Sequence, residues 1–146
     1  MAGIIVGVDG SAHSRRALVR AAKEAGVHHA PLTVLTVHQA VVGYSGAPVV
    51  YPGDLAETEK AREAAQAETD KMLAELDGPR PEAVTVKAVH GVPAEELINA
   101  SRDADMLVLG SRGAGGFKHL LMGSVSSQVT HHAHSPVLIV PAERRN

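Results

Sequence analysis

Short runs of aliphatic and β-branched residues alternate along the chain with longer segments of helical period. Most of these short runs are apolar at consecutive positions, which is typical of strands covered by helices on both faces. In the third run Thr85 and Lys87 alternate with valines, which predicts a strand nearer an edge of the sheet. The predicted strands are Ile4–Val8, Leu32–His38, Val84–His90, Met106–Gly110 and Val137–Val140.

The segments between the strands carry apolar positions at helical spacing together with helix start and stop signals. Ser11 is a predicted N-cap of the first helix, which ends at Gly26. A second helix is predicted over Asp54–Leu76, with Asp54 and Glu57 spaced as a capping box. Pro93 opens a third helix at a first-turn position. A fourth starts near Ser124 and ends before Ser135–Pro136.

The resulting order, β-α-β-α-β-α-β-α-β, predicts one α/β domain over residues 1–146, an open parallel sheet with helices on both faces. The irregular stretch Gln39–Gly53 interrupts this order with three glycines and two prolines and carries both tyrosines. A loop of this length inside a compact domain indicates a functional flap or a disordered insert.

Composition narrows the possible functions mainly by exclusion. The 146 residues carry a net charge of −2 and only three aromatic side chains, which argues against nucleic acid as a partner. The absence of cysteine excludes thiol catalysis and cysteine-based metal centres. No apolar run is long enough to cross a membrane, and the first residues lack the features of an export signal, so we expect a cytoplasmic protein.

Glycine and serine residues concentrate after the predicted first and fourth strands, at the edge of the sheet where parallel α/β proteins bind ligands. Asp9-Gly10-Ser11 follows the first strand, and the glycine-rich segment 110–116 follows the fourth and leads to Gly123. A phosphate group could be bound here by several kinds of donor. These are the backbone N–H groups of the loops, a helix N-terminus, the hydroxyls of Ser124 and Ser126, and the Arg112 guanidinium. Turn geometry alone is the alternative explanation, and the spacing matches neither a Walker A loop nor a dinucleotide fingerprint.

Several of these segments together resemble the universal stress protein family. The resemblance rests on 6–11 (VGVDGS), 89–93 (VHGVP), the spacing Gly110-x2-Gly113-x9-Gly123-Ser124, and 135–140 (SPVLIV). It extends from Ile4 to Val140 and is weakest across the Gln39–Gly53 loop. In that family the full glycine pattern marks the members that bind ATP, so the resemblance implies an ATP-binding, stress-response protein with a Rossmann-like fold of the adenine nucleotide alpha hydrolase type.

The resemblance also implies where each part of the nucleotide lies. Adenine is expected beside Val37, and Asp9 is expected to face the ribose or a Mg²⁺ ion bound to the phosphates. A single carboxylate cannot hold a metal alone, so such an ion would rely on waters and the phosphates. The full set of implied nucleotide-binding residues is Gly7, Val8, Asp9, Val37, Leu109, Gly110, Arg112, Gly113, Gly123, Ser124, Val125 and Ser126.

A shared ligand constrains the topology and the assembly. If the loops after the first and fourth strands touch one nucleotide, those strands are neighbours and the strand order is 3-2-1-4-5; the flavodoxin-like order 2-1-3-4-5 would separate them. The apolar last strand, Val137–Val140, would be an exposed edge. The family covers this edge by dimerising, which implies a homodimer.

The residues do not identify a catalyst. No serine has a base or an acid–histidine pair at a recognisable spacing in the sequence. No residue stands out as the base that would activate a water for ATP hydrolysis. We therefore expect a sensor whose nucleotide occupancy changes the order of the 39–53 loop, with little or no ATP hydrolysis. The alternatives are a slow ATPase or an adenylyl- or phosphoryl-transfer enzyme, an AMP- or cyclic-nucleotide-binding variant, and a structural subunit with a vestigial site.

Histidines raise a separate question about metals. His131 and His134 have the i, i+3 spacing of zinc ligands on a helix, but histidines are also favoured in the last turn of any helix by its dipole. His38 and His90 end two predicted strands at the edge where the ligand is expected, so one of them could touch it.

Overall fold

Strands and helices alternate along the chain much as the hydrophobic pattern predicts. The computed structural model describes residues 3–112 and 123–142. Three of the five predicted strands have the predicted bounds, and the other two extend by one residue. The elements are β1 (Ile4–Val8), α1 (Ala12–Val27), β2 (Leu32–Gln39), β3 (Val41–Val42), β4 (Pro48–Val49), α2 (Asp54–Glu75), β5 (Val84–Gly91), α3 (Pro93–Ser101), β6 (Met106–Gly110), α4 (Ser124–His132) and β7 (Val137–Val140).

The five long strands form one parallel sheet in the order β5-β2-β1-β6-β7. Numbered among themselves, these strands have the order 3-2-1-4-5, which confirms the prediction and excludes the flavodoxin-like alternative. Strand β5 lies at one edge, as the alternation of Thr85 and Lys87 predicts, and β7 lies at the other. The chain therefore builds the sheet outward from β1 in one direction and then returns to build it in the other.

Helices cover both faces of the sheet, because consecutive residues of the central strands alternate between two apolar cores. Ile4 and Val6 of β1 face a core that includes side chains of α1 and α2, whereas Ile5 faces a core built with α3 and α4. Val6 and Val108 are fully buried between neighbouring strands and helices. Among the described helices, none is both long and apolar enough to cross a membrane.

Two local features differ from the predictions. Helix α2 has Gly53 rather than Asp54 at its N-cap and no side-chain capping bond, so the predicted capping box is wrong. The Asp54 carboxylate turns back and accepts the backbone N–H of Tyr51 at 2.6 Å instead. The 39–53 segment is also not wholly irregular, because β3 and β4 pair as a two-residue antiparallel hairpin.

The predicted cap at Ser11 is confirmed, since its hydroxyl accepts the Ser14 N–H at 3.1 Å.

Helix α2 brings one carboxylate against the sheet without a matching donor. The Oε1 atom of Glu68 is buried and has no hydrogen-bond partner within residues 3–112 and 123–142. Burial raises the pKa of Glu68 above its usual 4.5; the positive charge of Arg15 opposes this rise, and the negative charge of Asp9 adds to it. The native state therefore holds the ionised form of Glu68 less readily than the unfolded chain does.

This environment predicts a stabilising substitution whose effect depends on pH. A carboxyl with a raised native pKa contributes stability below about pH 4.5, and that contribution is lost as the pH rises through the native pKa. Glu68→Gln should therefore raise the melting temperature at pH 8 and have no effect near pH 4. Because solvent screens the exposed part of the side chain, we expect only about 2 °C, or roughly 0.5 kcal/mol.

Thermal denaturation followed by circular dichroism at both pH values measures this difference. Glu63→Gln, an exposed position on the same helix, is the matched control and should change the melting temperature little at either pH. An equal effect of Glu68→Gln at pH 4 and pH 8 would contradict the assignment of the raised pKa to Glu68.

Candidate functional site

A small cavity lies at the carboxyl ends of β1, β2 and β6. Its volume is about 110 Å³, and side chains of α3 and α4 close the side away from the strands. Gly7 leaves room for it: a Cβ at this position would lie 2.8 Å from Leu109 Cδ2 and 2.9 Å from Leu97 Cδ2. Any side chain on Gly7 would therefore displace the two leucines that form the wall.

Nine of the twelve residues predicted for the site line this cavity. Gly123 and Ser124 do not line it; Ser124 begins α4 and Gly123 is its N-cap, one turn or less from the lining residues of that helix. Gly113 lies outside the described residues. The nine that the fold brings together are Gly7, Val8, Asp9, Val37, Leu109, Gly110, Arg112, Val125 and Ser126.

Four further residues line the cavity that sequence reasoning missed: Ser14, Leu35, Pro93 and Leu97. Leu35 lies two residues before Val37 in β2 and therefore on the same face of the sheet, so the period of the strand could have indicated it. Leu97 belongs to the buried stripe of α3. Ser14 carried no sequence signal, because its hydroxyl reaches the site only through the turn after β1, where it accepts the Asp9 N–H at 3.2 Å.

Backbone and side-chain hydrogen bonds fasten the start of α4 to the end of β6. The Gly123 N–H donates to the Ser111 carbonyl at 2.6 Å, and the Ser111 N–H donates to the Val140 carbonyl at 3.0 Å. The buried Ser126 hydroxyl lies 3.1 Å from the Ser111 carbonyl oxygen and 3.0 Å from that of Gly123. The single hydroxyl proton of Ser126 is thus donated to backbone carbonyls. Ser126 therefore links α4 to the end of β6 and does not donate a hydrogen bond into the cavity.

No side-chain capping bond closes the first turn of α4 within residues 3–112 and 123–142. Gly123 is its N-cap and has no side chain that could accept a hydrogen bond from the first N–H groups. The helix dipole places partial positive charge at the same point, beside the lining residues Val125 and Ser126. This end of the cavity favours a negatively charged group.

Arg112 is the one basic side chain that lines the cavity within the described part of the chain. Its Nε atom is buried and has no hydrogen-bond partner among residues 3–112 and 123–142. A buried donor without an acceptor costs about 1–3 kcal/mol, and more when the group is charged. Asp9 also lines the cavity, and its carboxylate accepts the Ser11 N–H at 2.9 Å.

A larger groove of about 610 Å³ lies between α1 and α2, away from the strand ends. Aliphatic side chains such as Leu18 and Met72 form its floor, and charged side chains such as Lys23, Lys71 and Glu75 surround it. The lining of this groove includes neither Arg112 nor any residue of α4. The smaller cavity at the strand ends is therefore the better candidate for a specific ligand, despite its size.

Two histidines and an aspartate meet next to this cavity without lining it. His38 Nε2 lies 3.3 Å from Asp54 Oδ1, and His90 Nε2 lies 3.3 Å from Asp54 Oδ2. The pKa of Asp54 is lowered, chiefly by the N–H bond from Tyr51 and further by the two histidines, while desolvation opposes the shift. Neither histidine reaches the cavity lining, so the expectation that one of them contacts a ligand there finds no support in the geometry.

The lining suits a ligand with an apolar or planar part and an anionic part. Leu35, Val37 and Leu109 supply aliphatic walls, while Arg112 and the start of α4 supply positive potential at one end. No histidine lines the cavity, within the described residues, to activate a hydroxyl as a nucleophile.

Known proteins resemble this chain over nearly its whole length. A universal stress protein from Mycolicibacterium smegmatis is 36% identical over 141 residues, which cover 94% of this chain and 47% of that protein. A universal stress protein from Thermus aquaticus is 35% identical over 142 residues, which cover 94% of this chain and 96% of that protein. The chain spans about half the length of the mycobacterial relatives that it matches.

A solved structure agrees with this similarity. A universal stress protein in complex with cAMP superposes with a TM-score of 0.66 at 26% identity, over 95% of each chain. Residues 2–141 match the universal stress protein family as a whole. The chain therefore belongs to the universal stress protein family.

Proposed function

We propose that this protein binds ATP at the cavity beside β1 and acts as a regulator whose nucleotide occupancy is the signal. The observation that carries the proposal is the buried Nε of Arg112, which lacks a partner in the described part of the chain and lines the same cavity as the first turn of α4. A phosphate would supply the missing acceptor and would neutralise the positive end of the helix.

The rest of the cavity fits the base and the sugar. In the proposed pose the adenine lies against Val37 and Leu35, and the ribose lies near Gly7, Val8 and Leu109. A cavity of about 110 Å³ holds only part of a nucleotide, so the phosphates extend along the open mouth. There Gly110, Arg112, Gly113, Gly123, Ser124 and Val125 would surround them, with Asp9 near any phosphate-bound Mg²⁺.

The choice among adenine nucleotides rests on the glycine pattern Gly110-x2-Gly113-x9-Gly123-Ser124, which resembles that of ATP-binding family members. The structure with bound cAMP favours a second candidate, a cyclic nucleotide or AMP, because a relative of similar fold accepts one phosphate. The two candidates differ in how many phosphates must be placed beyond Arg112.

The absence of a histidine or a paired carboxylate from the described lining supports a binding function over an enzymatic one. Val37 lines the cavity, and the 39–53 loop begins two residues later, directly after His38. Occupancy at Val37 would thus reach this loop directly, and we propose that the loop presents a different surface to a cytoplasmic partner in the bound and free states.

Nucleotide binding can be tested with one arginine variant and its matched control. Arg112→Gln removes the charge while retaining a polar side chain, and we expect the Kd for ATP to rise at least tenfold, because hydrogen bonds to charged groups contribute about 1.5–3 kcal/mol. Isothermal titration calorimetry with ATP, AMP and cAMP measures the effect and the preference. Arg102→Gln, at the exposed C-cap of α3, should leave the Kd unchanged.

Two results would reject the proposal. One is an unchanged Kd in Arg112→Gln, and the other is a parent protein that binds none of the three nucleotides at millimolar concentration. Mass spectrometry of nucleotide released from the denatured protein identifies the natural ligand. Steady-state release of ADP or of an adenylylated or phosphorylated product at ordinary enzymatic rates would favour the enzyme over the regulator.

We further propose that the protein is a homodimer through β7. This strand is a sheet edge, and all four of its residues, Val137–Val140, are only partly buried despite being aliphatic. An apolar edge strand favours pairing with another chain, and a second copy of the same edge would cover it.

Val140→Lys should weaken this dimer at least tenfold, because a charge in an apolar interface loses its hydration. Val84→Lys is the matched control, since Val84 is also partly buried, packs against the same core and lies on the opposite edge strand β5. Multi-angle light scattering across a concentration series should show dissociation in the first variant alone. A parent protein that is monomeric at about 10 µM would contradict the proposal.

A further inference from the structure

His38, Asp54 and His90 converge although they come from three separate elements. His38 lies near the end of β2 and His90 near the end of β5, and the two residues are direct partners in the register of this parallel pair. Partners in register lie on the same face of a sheet, and their ring centroids are 5.5 Å apart. Asp54 is the first residue of α2, so the start of that helix faces the two rings.

We propose that these three side chains form a binding site for a divalent transition-metal ion such as Zn²⁺. One ligand atom from each residue can be chosen so that all three lie within 4.8 Å of one another. In the part of the chain that the structure describes, no other group of three potential ligands meets this condition. Two imidazoles and one carboxylate are a donor set that zinc accepts, with water or another ligand completing the coordination.

The distances between the histidines and Asp54 are compatible with ligands around one ion. Each histidine Nε2 lies 3.3 Å from an Asp54 oxygen, whereas N–H···O bonds cluster at about 2.9–3.0 Å. Zinc bonds of about 2.0–2.1 Å in a tetrahedron place neighbouring ligand atoms roughly 3.3 Å apart. Each histidine thus already lies at about this separation from one oxygen of the Asp54 carboxylate, His38 from Oδ1 and His90 from Oδ2.

Surrounding contacts hold the carboxylate in place and leave the site accessible. The Tyr51 N–H donates to Asp54 Oδ2 at 2.6 Å, which orients the carboxylate as an outer hydrogen bond does in metal sites. The three side chains retain between 15% and 29% of their exposure, so an ion can enter while most of the surroundings exclude water.

The position of the ligands gives the ion a structural consequence. His38 and Asp54 immediately flank the 39–53 loop, so a metal bridging them closes this loop and joins it to β5 through His90. Closing the loop restricts its conformations in the native state and links it to the edge of the sheet. The metal would therefore order the loop without touching the cavity beside β1, and the proposal does not depend on nucleotide binding.

Calorimetric titration of the chelator-treated, untagged protein with ZnCl₂, in the absence of nucleotide, tests the site. We expect one Zn²⁺ per chain, and we expect His90→Gln and Asp54→Asn each to weaken binding at least tenfold, since even outer-shell changes weaken metal sites 10–100-fold. Both substitutions keep a polar side chain of similar size. The double variant His131→Gln/His134→Gln is the control at the end of α4 and should bind as the parent does.

Two further measurements keep the result independent of folding defects. Co²⁺ should give the parent the strong visible absorption of a low-coordinate nitrogen–oxygen site, and His90→Gln should lose it while its metal-free melting temperature stays near that of the parent. Chymotrypsin should cleave the exposed Tyr44 several-fold more slowly when Zn²⁺ is bound. Absence of Zn²⁺ binding, or its loss only in the His131/His134 variant, would overturn the proposal.

Discussion

The fold depends on one constraint, the position of β1 at the point where the chain reverses the direction in which it adds strands. After β1 the chain adds β2 and β5 on one side, and then it crosses back to add β6 and β7 on the other. The connections leaving β1 and β6 therefore diverge to opposite faces of the sheet, and the space between them cannot be filled by either. The cavity lined by Gly7, Asp9, Gly110 and Arg112 is this space.

Packing of β1 makes this geometry precise. Val6 has no exposed surface, and its neighbours Ile5 and Gly7 face the core built with α3 and α4. The absence of a side chain at Gly7 allows Leu97 and Leu109 to approach the strand without filling the cavity. The hydrogen bond from the Ser126 hydroxyl to the Ser111 carbonyl then holds the start of α4 against the end of β6. A buried hydrophobic core thus positions a polar helix end at the mouth of the cavity.

Features that depend on local sequence could be predicted, and features that depend on distant contacts could not. The strands, the Ser11 cap and the first turn of α3 at Pro93 follow from apolar runs and helix signals within a few residues. The strand order needed more than periodicity, because it rested on the assumption that two loops share one ligand. The predicted capping box failed because Asp54 bonds to Tyr51 in the preceding loop and faces two distant histidines.

The convergence of His38, Asp54 and His90 shows why clusters of distant side chains cannot be predicted from local sequence patterns. His38 and His90 are separated by 52 positions, and only the register of β2 with β5 makes them neighbours. Their cluster flanks the 39–53 loop, while Val37, one residue earlier, lines the cavity beside β1. Consecutive residues of a strand point to opposite faces of the sheet, so Val37 and His38 can serve two separate sites although they are neighbours in β2.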